Sequence, residues 1–146
     1  MRAHFGGRTR QSLVAARALI DAAAKGATTE AASTLSSELF LITEVLHSNS
    51  SLRRAITDPA RDEKAKSTLL TEIFGKTVGA SALNVITGVS ALRWSSSADL
   101  VQVLEQLAIE AEASAANIAN ELDRVEHEIF TVARTIAGSF ELRTAL

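Results

Sequence analysis

The sequence contains few of several residue types that other fold classes require. Among its 146 residues there are no cysteines, no tyrosines, one proline and seven glycines. The lack of cysteine excludes disulfide bonds, thiolate metal sites and cysteine redox chemistry. Proline and glycine are the residues that most disfavour helices, and no segment alternates apolar and polar residues as a half-buried strand does. The sequence therefore predicts an all-α fold, a compact bundle of five to six helices.

Long apolar runs and a strong net charge are also absent. No run approaches the roughly 20 apolar residues that a membrane span needs, so we expect a soluble protein without direct membrane insertion. The net charge is −2, which predicts no dominant attraction to nucleic acid or acidic lipid. The charge is unevenly distributed, because residues 1–25 carry five basic side chains and one acid, whereas residues 99–130 carry eight acids and one arginine.

Apolar spacing and capping residues predict the first helices of the bundle. A helix over residues 11–25 ends at Gly26, which is suited to the left-handed turn after a helix. Thr28 and Thr29 are candidate caps for a second helix. A polar stretch at residues 48–51 interrupts that helix, and a short helical segment follows it.

Asp58 and Pro59 indicate the start of a further helix, because aspartate caps free amides and proline has no amide to leave unpaired. One face of this helix carries Ala65, Leu69 and Ile73. A loop at residues 76–79 separates it from a helix over residues 80–94. The residues expected to point inward from that helix are Leu83, Ile86, Val89 and Leu92.

The last predicted helix is much longer than the others. Ser96 and Asp99 fit a capping box at its start. Apolar residues then recur about every 3.6 residues, as in a straight helix. They are Leu100, Leu104, Leu107, Ala111, Ala115, Ile118, Leu122, Val125, Ile129, Val132 and Ile136.

The length of this helix predicts that part of it projects from the bundle. It is roughly 60 Å long, whereas a compact domain of this size is roughly 40 Å across. The part beyond about Ala115 then needs another chain, or sequence missing here, to cover its apolar stripe. We therefore divide the chain into a basic flexible N-terminus (1–9), a helical bundle (10–115) and an extension that begins a truncated second repeat (116–146).

An internal similarity appears when the sequence is shifted by 90 residues. Residues 37–42 then align with residues 127–132, and residues 52–56 align with residues 142–146, without a gap. One interpretation is a duplication, in which the long helix is shared between two copies. The alternative is chance similarity, because the helical period by itself aligns apolar residues.

No motif in the sequence predicts catalysis, a metal site or a cofactor. The segment Gly75-Lys76-Thr77 resembles the end of a P-loop, but Leu70 stands where the first glycine is required. The histidines at positions 4, 47 and 127 lack the spacing of metal ligands. Trp94 is interpreted as closing a helix over the core, with a partner contact as the alternative.

An ordered set of segments resembles a known family. Leu52-Arg53-Arg54-Ala55-Ile56-Thr57-Asp58-Pro59, the amphipathic stretch 64–74 and Gly75-Lys76-Thr77-Val78 are similar to the amino-terminal domain of the delta/OSCP family of ATP synthase stalk subunits. Residues 91–100, with Arg93 and Trp94, resemble the actinobacterial form of that family.

The resemblance implies a non-catalytic stator subunit of F-type ATP synthase, without cofactors, at the cytoplasmic face of the plasma membrane. By the same resemblance, the first and fifth helices of this chain would form a groove for the N-terminal helix of an alpha subunit. The groove residues would be Ala15, Ala18, Ala22, Val85 and Val89. A C-terminal part absent here would contact the b subunit of the peripheral stalk.

A helix-turn-helix DNA-binding regulator is the alternative function, with residues 69–89 as the motif and residues 2–10 as a basic arm. Against it, residues 80–92 contain no lysine, arginine or glutamine to contact phosphates or bases.

Overall fold

The part of the chain that the structure describes folds into six α-helices. The computed structural model describes the backbone of residues 6–145 and the side chains of residues 6–138. The helices are α1 (Gly7–Ala24), α2 (Thr29–Ser48), α3 (Ser50–Thr57), α4 (Glu63–Phe74), α5 (Ala80–Ser90) and α6 (Ser97–Ala145). No strand occurs in this described part of the chain. The predicted all-α bundle is therefore confirmed, and so is the long last helix.

α1 begins earlier than residue 11, where the sequence pattern placed its start. The reason is Thr9, which is buried although it is polar. Its hydroxyl donates to Asp99 Oδ2 at 2.8 Å and accepts from the backbone amide of Ser95 at 2.9 Å. Residues 7–9, which were assigned to the flexible N-terminus, therefore belong to α1. Arg10 also lies in α1, and residues 1–5, including Arg2 and His4, lie outside the described residues.

The caps of the first helices follow the local sequence. Gly26 has φ +71°, the left-handed conformation expected after α1. Thr28 caps α2 by accepting a hydrogen bond from the amide of Ala31 at 3.1 Å. The side chain of Asn49 likewise caps α3 by accepting from the amide of Leu52 at 3.1 Å. The interruption predicted near residues 48–51 is thus a change of helix with its own cap.

The prediction that α4 starts at Asp58 and Pro59 is wrong. Asp58 Oδ1 accepts a hydrogen bond from the amide of Ala60, two residues on, at 2.9 Å. This is a local turn of the kind that aspartate favours. α4 begins only at Glu63.

The inward face of α4 is also rotated by one residue from the predicted one. Ala65 and Ile73 are exposed and Leu69 is half-buried. The buried residues are Lys66, Leu70 and Phe74. This register buries the largest side chain of the helix, Phe74. The burial of Lys66 is tolerated because its ammonium group donates a hydrogen bond to the carbonyl oxygen of Ser90 at 3.1 Å.

α5 ends at Ser90, four residues before the predicted end. Trp94 then turns back into the core, where only 8% of it is exposed. Its indole Nε1 donates to the carbonyl oxygen of Val89 at 3.0 Å. The interpretation of Trp94 as a core residue is therefore confirmed.

The first part of α6, residues 97–115, forms the centre of the bundle, and we call it the inner half. Its buried residues include Leu100, Leu104 and Leu107. α2 is antiparallel to it, because Ser36 donates to the carbonyl of Ala108 at 3.3 Å while the start of α2 lies beside residues 115–119. At the start of α6, Ser96 Oγ accepts from the amide of Asp99 at 3.2 Å, as the predicted cap requires.

Beyond residue 118, α6 projects from the bundle. We call residues 119–138 the outer half. Among the residues up to 138, Ala115 is the last buried one, and every residue from Asn120 to Gly138 is exposed. The predicted projection beyond about Ala115 is therefore confirmed. None of the helices in the described part combines the length and apolarity needed to cross a membrane.

Candidate partner-binding groove

α1 and α5 lie side by side at the surface of the bundle. Their approach is close at Gly88, where an added Cβ would lie 2.9 Å from Cδ1 of Leu19. Glycine at this position therefore allows the backbone of α5 to pack against an α1 side chain. The contact fixes the relative positions of the two helices. It thereby defines the surface depression between them.

A shallow groove of about 260 Å³ runs between α1 and α5. The residues that line it are Leu19, Ala22, Ala23, Ser81, Asn84 and Val85. The α1 wall is entirely apolar and mostly made of alanine, which leaves room for an approaching backbone. The α5 wall adds a hydroxyl and an amide that can form hydrogen bonds. This combination suits the apolar face of a helix better than a small charged ligand.

Two of the five groove residues named from the sequence line this groove, Ala22 from α1 and Val85 from α5. Val85 lies at its floor, because it is only 2% exposed and packs in the core. Ala15 is half-buried and Ala18 is exposed, and neither lines it. Val89 is fully buried, with 0% exposure. It belongs to the core, so we correct its assignment to the groove.

Four further groove residues were not predicted from the sequence, namely Leu19, Ala23, Ser81 and Asn84. A signal for the α5 pair existed, because Ser81 and Asn84 are polar residues three apart in the first half of α5, whose other residues are apolar. Such a pair marks the side that faces water. Leu19 gave no comparable signal, since a leucine on an amphipathic helix is assigned to the core by default.

A second depression, of about 420 Å³, continues the groove around the start of α5. Ser81 lines both depressions. Glu30 and Glu38 of α2 give this end an acidic character. The carboxylate of Glu38 accepts a hydrogen bond from the amide of Gly79, just before α5. The surface thus changes from apolar between α1 and α5 to acidic between α2 and α5.

The ionisable groups with shifted pKa values lie outside the groove lining. Hydrogen bonding by Arg17 lowers the pKa of Glu110, and burial lowers the pKa of Lys66. The Arg17 guanidinium donates from Nε to Oε2 of Glu110 at 3.1 Å and from Nη2 to Oε1 at 2.9 Å. Both shifts arise from contacts between helices. Within the described residues no group of three potential metal ligands is found.

Comparison with known proteins identifies the family. The family model described as "ATP synthase delta (OSCP) subunit" matches residues 15–113. "ATP synthase subunit delta" of Streptomyces coelicolor is 42% identical over 140 residues, which is 96% of this chain and 51% of that protein. The protein of the same name from Beutenbergia cavernae is 38% identical over 117 residues, 80% of this chain and 43% of that protein.

A further relative, "ATP synthase subunit delta" of Salinispora arenicola, is 36% identical over 94% of this chain and 50% of its own length. The chain thus spans about half the length of the curated relatives it matches. The matched region includes α2 to α5 and the inner half of α6 as far as residue 113. The resemblance noted in the sequence is confirmed, and the chain belongs to the ATP synthase delta (OSCP) subunit family.

Proposed function

We propose that this chain is a non-catalytic stator module of an F-type ATP synthase that binds the amphipathic N-terminal helix of an alpha subunit. The observation that carries the proposal is the groove between α1 and α5, which has an alanine-rich apolar wall and a polar wall. The curated relatives are named as delta subunits of ATP synthase. Their name supports the assignment to this complex.

The proposed role is mechanical. Rotation of the central shaft exerts torque on the catalytic head, and a stator subunit must hold the head through static contacts. Tight binding by a helix requires an interface of roughly 1,000 Å² or more and a groove that is formed before binding. Packing of Leu19 against Gly88 supports the second requirement, because it fixes α1 relative to α5.

The charge of the surface favours one kind of partner helix. Its apolar face would lie against Leu19, Ala22 and Ala23, with polar side chains near Ser81 and Asn84. Glu30 and Glu38 lie where the groove continues around the start of α5. A partner helix with lysine or arginine at this end would therefore be favoured over one with acidic residues there.

The remaining partner and the location follow from the same proposal. A contact with the peripheral-stalk b subunit would be made by a part of the protein outside this chain. The complex would hold the chain at the cytoplasmic face of the plasma membrane. No observation favours the DNA-binding alternative, since α5 buries five of its eleven residues and presents no basic side chain.

Calorimetric titration tests the groove with a synthetic peptide from the N-terminus of the alpha subunit of the same organism. We expect saturable binding, and we expect Ala22→Glu to weaken it at least tenfold, or about 1.4 kcal/mol. The added carboxylate would enter the apolar part of the groove. Ala133→Glu is the matched control, because Ala133 is an exposed alanine of the outer half of α6.

Two results would contradict the proposal. One is a peptide that fails to bind the unmodified chain. The other is equal weakening by Ala22→Glu and Ala133→Glu, which would place the contact elsewhere. Circular dichroism of each variant verifies that the bundle remains folded, so that loss of binding is not loss of structure.

A further inference from the structure

α5, which forms one wall of the groove, contains little that would hold it in place by itself. It has eleven residues and no charged side chain, and four of its residues are β-branched (Val85, Ile86, Thr87 and Val89). Such residues are weak helix formers, and a helix of this length is marginal on its own. Gly79, which precedes α5, has no side chain to cap the free amides. The position of α5 therefore depends on contacts from other helices.

The start of α5 is capped by a side chain of α2. The carboxylate of Glu38 accepts a hydrogen bond from the amide of Gly79. Glycine leaves room for this approach, since an added Cβ at position 79 would lie 3.3 Å from Oε1 of Glu38. A carboxylate also interacts favourably with the positive end of a helix dipole. Glu38 thus supplies both the cap and the charge that the sequence of α5 lacks.

The end of α5 is capped by a side chain of α4. The ammonium group of Lys66 donates to the carbonyl oxygen of Ser90, the last residue of α5, at 3.1 Å. A cation matches the negative end of the helix dipole. The carbonyl oxygen of Val89 accepts from the indole of Trp94 at 3.0 Å. Two side chains from outside the helix therefore bond its last carbonyl groups.

The two charged caps restrict a movement that the contact between α1 and α5 does not. Packing of Leu19 against Gly88 fixes how closely the two helices approach. A glycine surface, however, offers little resistance to sliding along the helix axis. Sliding by one residue would move Ser81 and Asn84 by about 1.5 Å relative to the alanines of α1. Bonds at both ends of α5, made by two different helices, oppose this sliding.

The burial of Lys66 indicates a role in position rather than in stability. Only 5% of this residue is exposed. Burial lowers the pKa of its ammonium group, which means that the surroundings disfavour the charged form. A buried charge can often be replaced by an apolar residue of similar size without loss of stability. A lysine at this position is therefore better explained by the group that it bonds, the end of α5.

We propose that Glu38 and Lys66 are positioning residues of the groove, which cap the two ends of α5 from α2 and α4 and fix its axial position against α1. This role rests on the proposed function, because α5 is a wall against which the partner helix would lie. Lys66 is buried and does not line the groove, so it acts on binding through α5. Glu38 also borders the acidic depression, so its test needs a control for charge.

Two pairs of variants test these residues by titration with the alpha-subunit peptide. Lys66→Met removes the cap at the end of α5 and keeps an apolar chain of similar length. Its control is Lys64→Met, on the exposed side of α4. Glu38→Ala removes the cap at the start of α5. Its control is Glu30→Ala, because Glu30 lines the same acidic depression but does not bond Gly79.

We expect both cap variants to bind the peptide about three- to tenfold more weakly than their controls, which corresponds to the loss of a helix cap. Urea unfolding followed by the fluorescence of Trp94 should give Lys66→Met a midpoint no lower than that of Lys64→Met. Affinity and stability then change independently. Parallel losses of midpoint and affinity would show instead that Lys66 only stabilises the fold.

Amide hydrogen exchange without peptide reports on the caps themselves. The amides of Leu83 and Ala91 bond the carbonyl oxygens of Gly79 and Thr87, in the first and last turns of α5. Exchange at Leu83 should be about three- to tenfold faster in Glu38→Ala, because an uncapped helix end opens more often. The same increase is expected at Ala91 in Lys66→Met.

Two further results would overturn the proposal. One is unchanged amide exchange at both ends of α5. The other is equal weakening of peptide binding by Glu30→Ala and Glu38→Ala together with unweakened binding by Lys66→Met, which would mean that Glu38 acts only through its charge. A peptide that fails to bind the unmodified chain would contradict the proposed function, and with it the role of the caps in binding. The exchange rates would then show separately whether the caps hold α5.

Discussion

The two halves of α6 have the same apolar period but opposite environments. In the inner half, Leu100, Leu104 and Leu107 are fully or almost fully buried beneath the other helices. In the outer half the stripe continues without a break, yet Ile129 and Ile136 are each 64% exposed. The period of a helix therefore reveals that one face requires cover. It does not reveal whether the cover comes from the same domain.

The inner half is also held by polar contacts that the outer half lacks. Asp99 and Glu110 of the inner half accept hydrogen bonds from Thr9 and Arg17 of α1. In the outer half the described ion pairs of Arg124 are with residues three and four positions away on the same helix. Contacts of the first kind stabilise the bundle, whereas contacts of the second kind stabilise only the helix.

Truncation of one stripe residue in each half of α6 should give the largest difference in the free energy of unfolding. Leu104→Ala removes a fully buried side chain and is expected to destabilise the bundle by about 2–5 kcal/mol. Ile129→Ala removes an exposed one and should change the stability by less than about 0.5 kcal/mol. The measurement is urea unfolding followed by the fluorescence of Trp94, the single tryptophan, which reports on the bundle. Equal losses in the two variants would show that the outer half is packed in the isolated chain.

Replacement of threonine by valine at two positions compares a polar contact between helices with a polar contact within one helix. Thr9→Val removes the hydroxyl that bonds both Asp99 and the amide of Ser95, and it leaves those groups without this partner. We expect a loss of about 1–3 kcal/mol. Thr131→Val is the control, because Thr131 is exposed and donates only to the carbonyl of His127 on its own helix. A loss at Thr9 no larger than the loss at Thr131 would contradict the prediction.

The ion pair between Arg17 and Glu110 should have a smaller effect that depends on pH. Arg17 lowers the pKa of Glu110 below its usual 4.5, so the pair stabilises the fold above that value. The stabilisation is lost as the pH falls through the lower pKa of the folded state. Both side chains are partly exposed, which limits the contribution to about 0.2–1 kcal/mol.

The test is the stability of Glu110→Gln and of the unmodified chain, measured by Trp94 fluorescence from neutral to acid pH. The two curves should differ near neutral pH and converge in acid. Glu121→Gln is the control, since its partner Arg124 lies on the same helix. A constant difference at all pH values would show that the effect of Glu110→Gln is not due to the charge.

Local sequence was sufficient to predict the helices and several of their ends. The turn at Gly26, the cap at Thr28 and the cap at Ser96 each depend on residues within four positions of one another. The number of helices and the start of α6 at Ser97 followed from the same local information. The start of α4 was one exception, because aspartate supports a turn and a helix cap by the same kind of hydrogen bond.

Features that depend on a second helix were predicted less well. The face of α4 was misassigned because a lysine is expected in water, and the carbonyl of Ser90 that accepts its hydrogen bond belongs to another helix. Val89 was assigned to the groove because an apolar residue can serve the core or a partner equally well. In both cases the missing information was which groups of a neighbouring helix lie against the residue.

Removal of the outer half of α6 should have the smallest effect of all on the stability of the bundle. We expect a chain that ends after Ile118 to have the same free energy of unfolding, within about 0.5 kcal/mol, because no described residue after Ala115 is buried. A chain that ends after Leu107 is the control and should be strongly destabilised, since it loses the buried residues Ala108, Ala111 and Ala115. Limited proteolysis of the intact 146-residue chain should first cut beyond residue 115 and leave the fluorescence of Trp94 unchanged. A midpoint lowered by removal of the outer half would mean that the exposed stripe already contributes to the stability of this bundle.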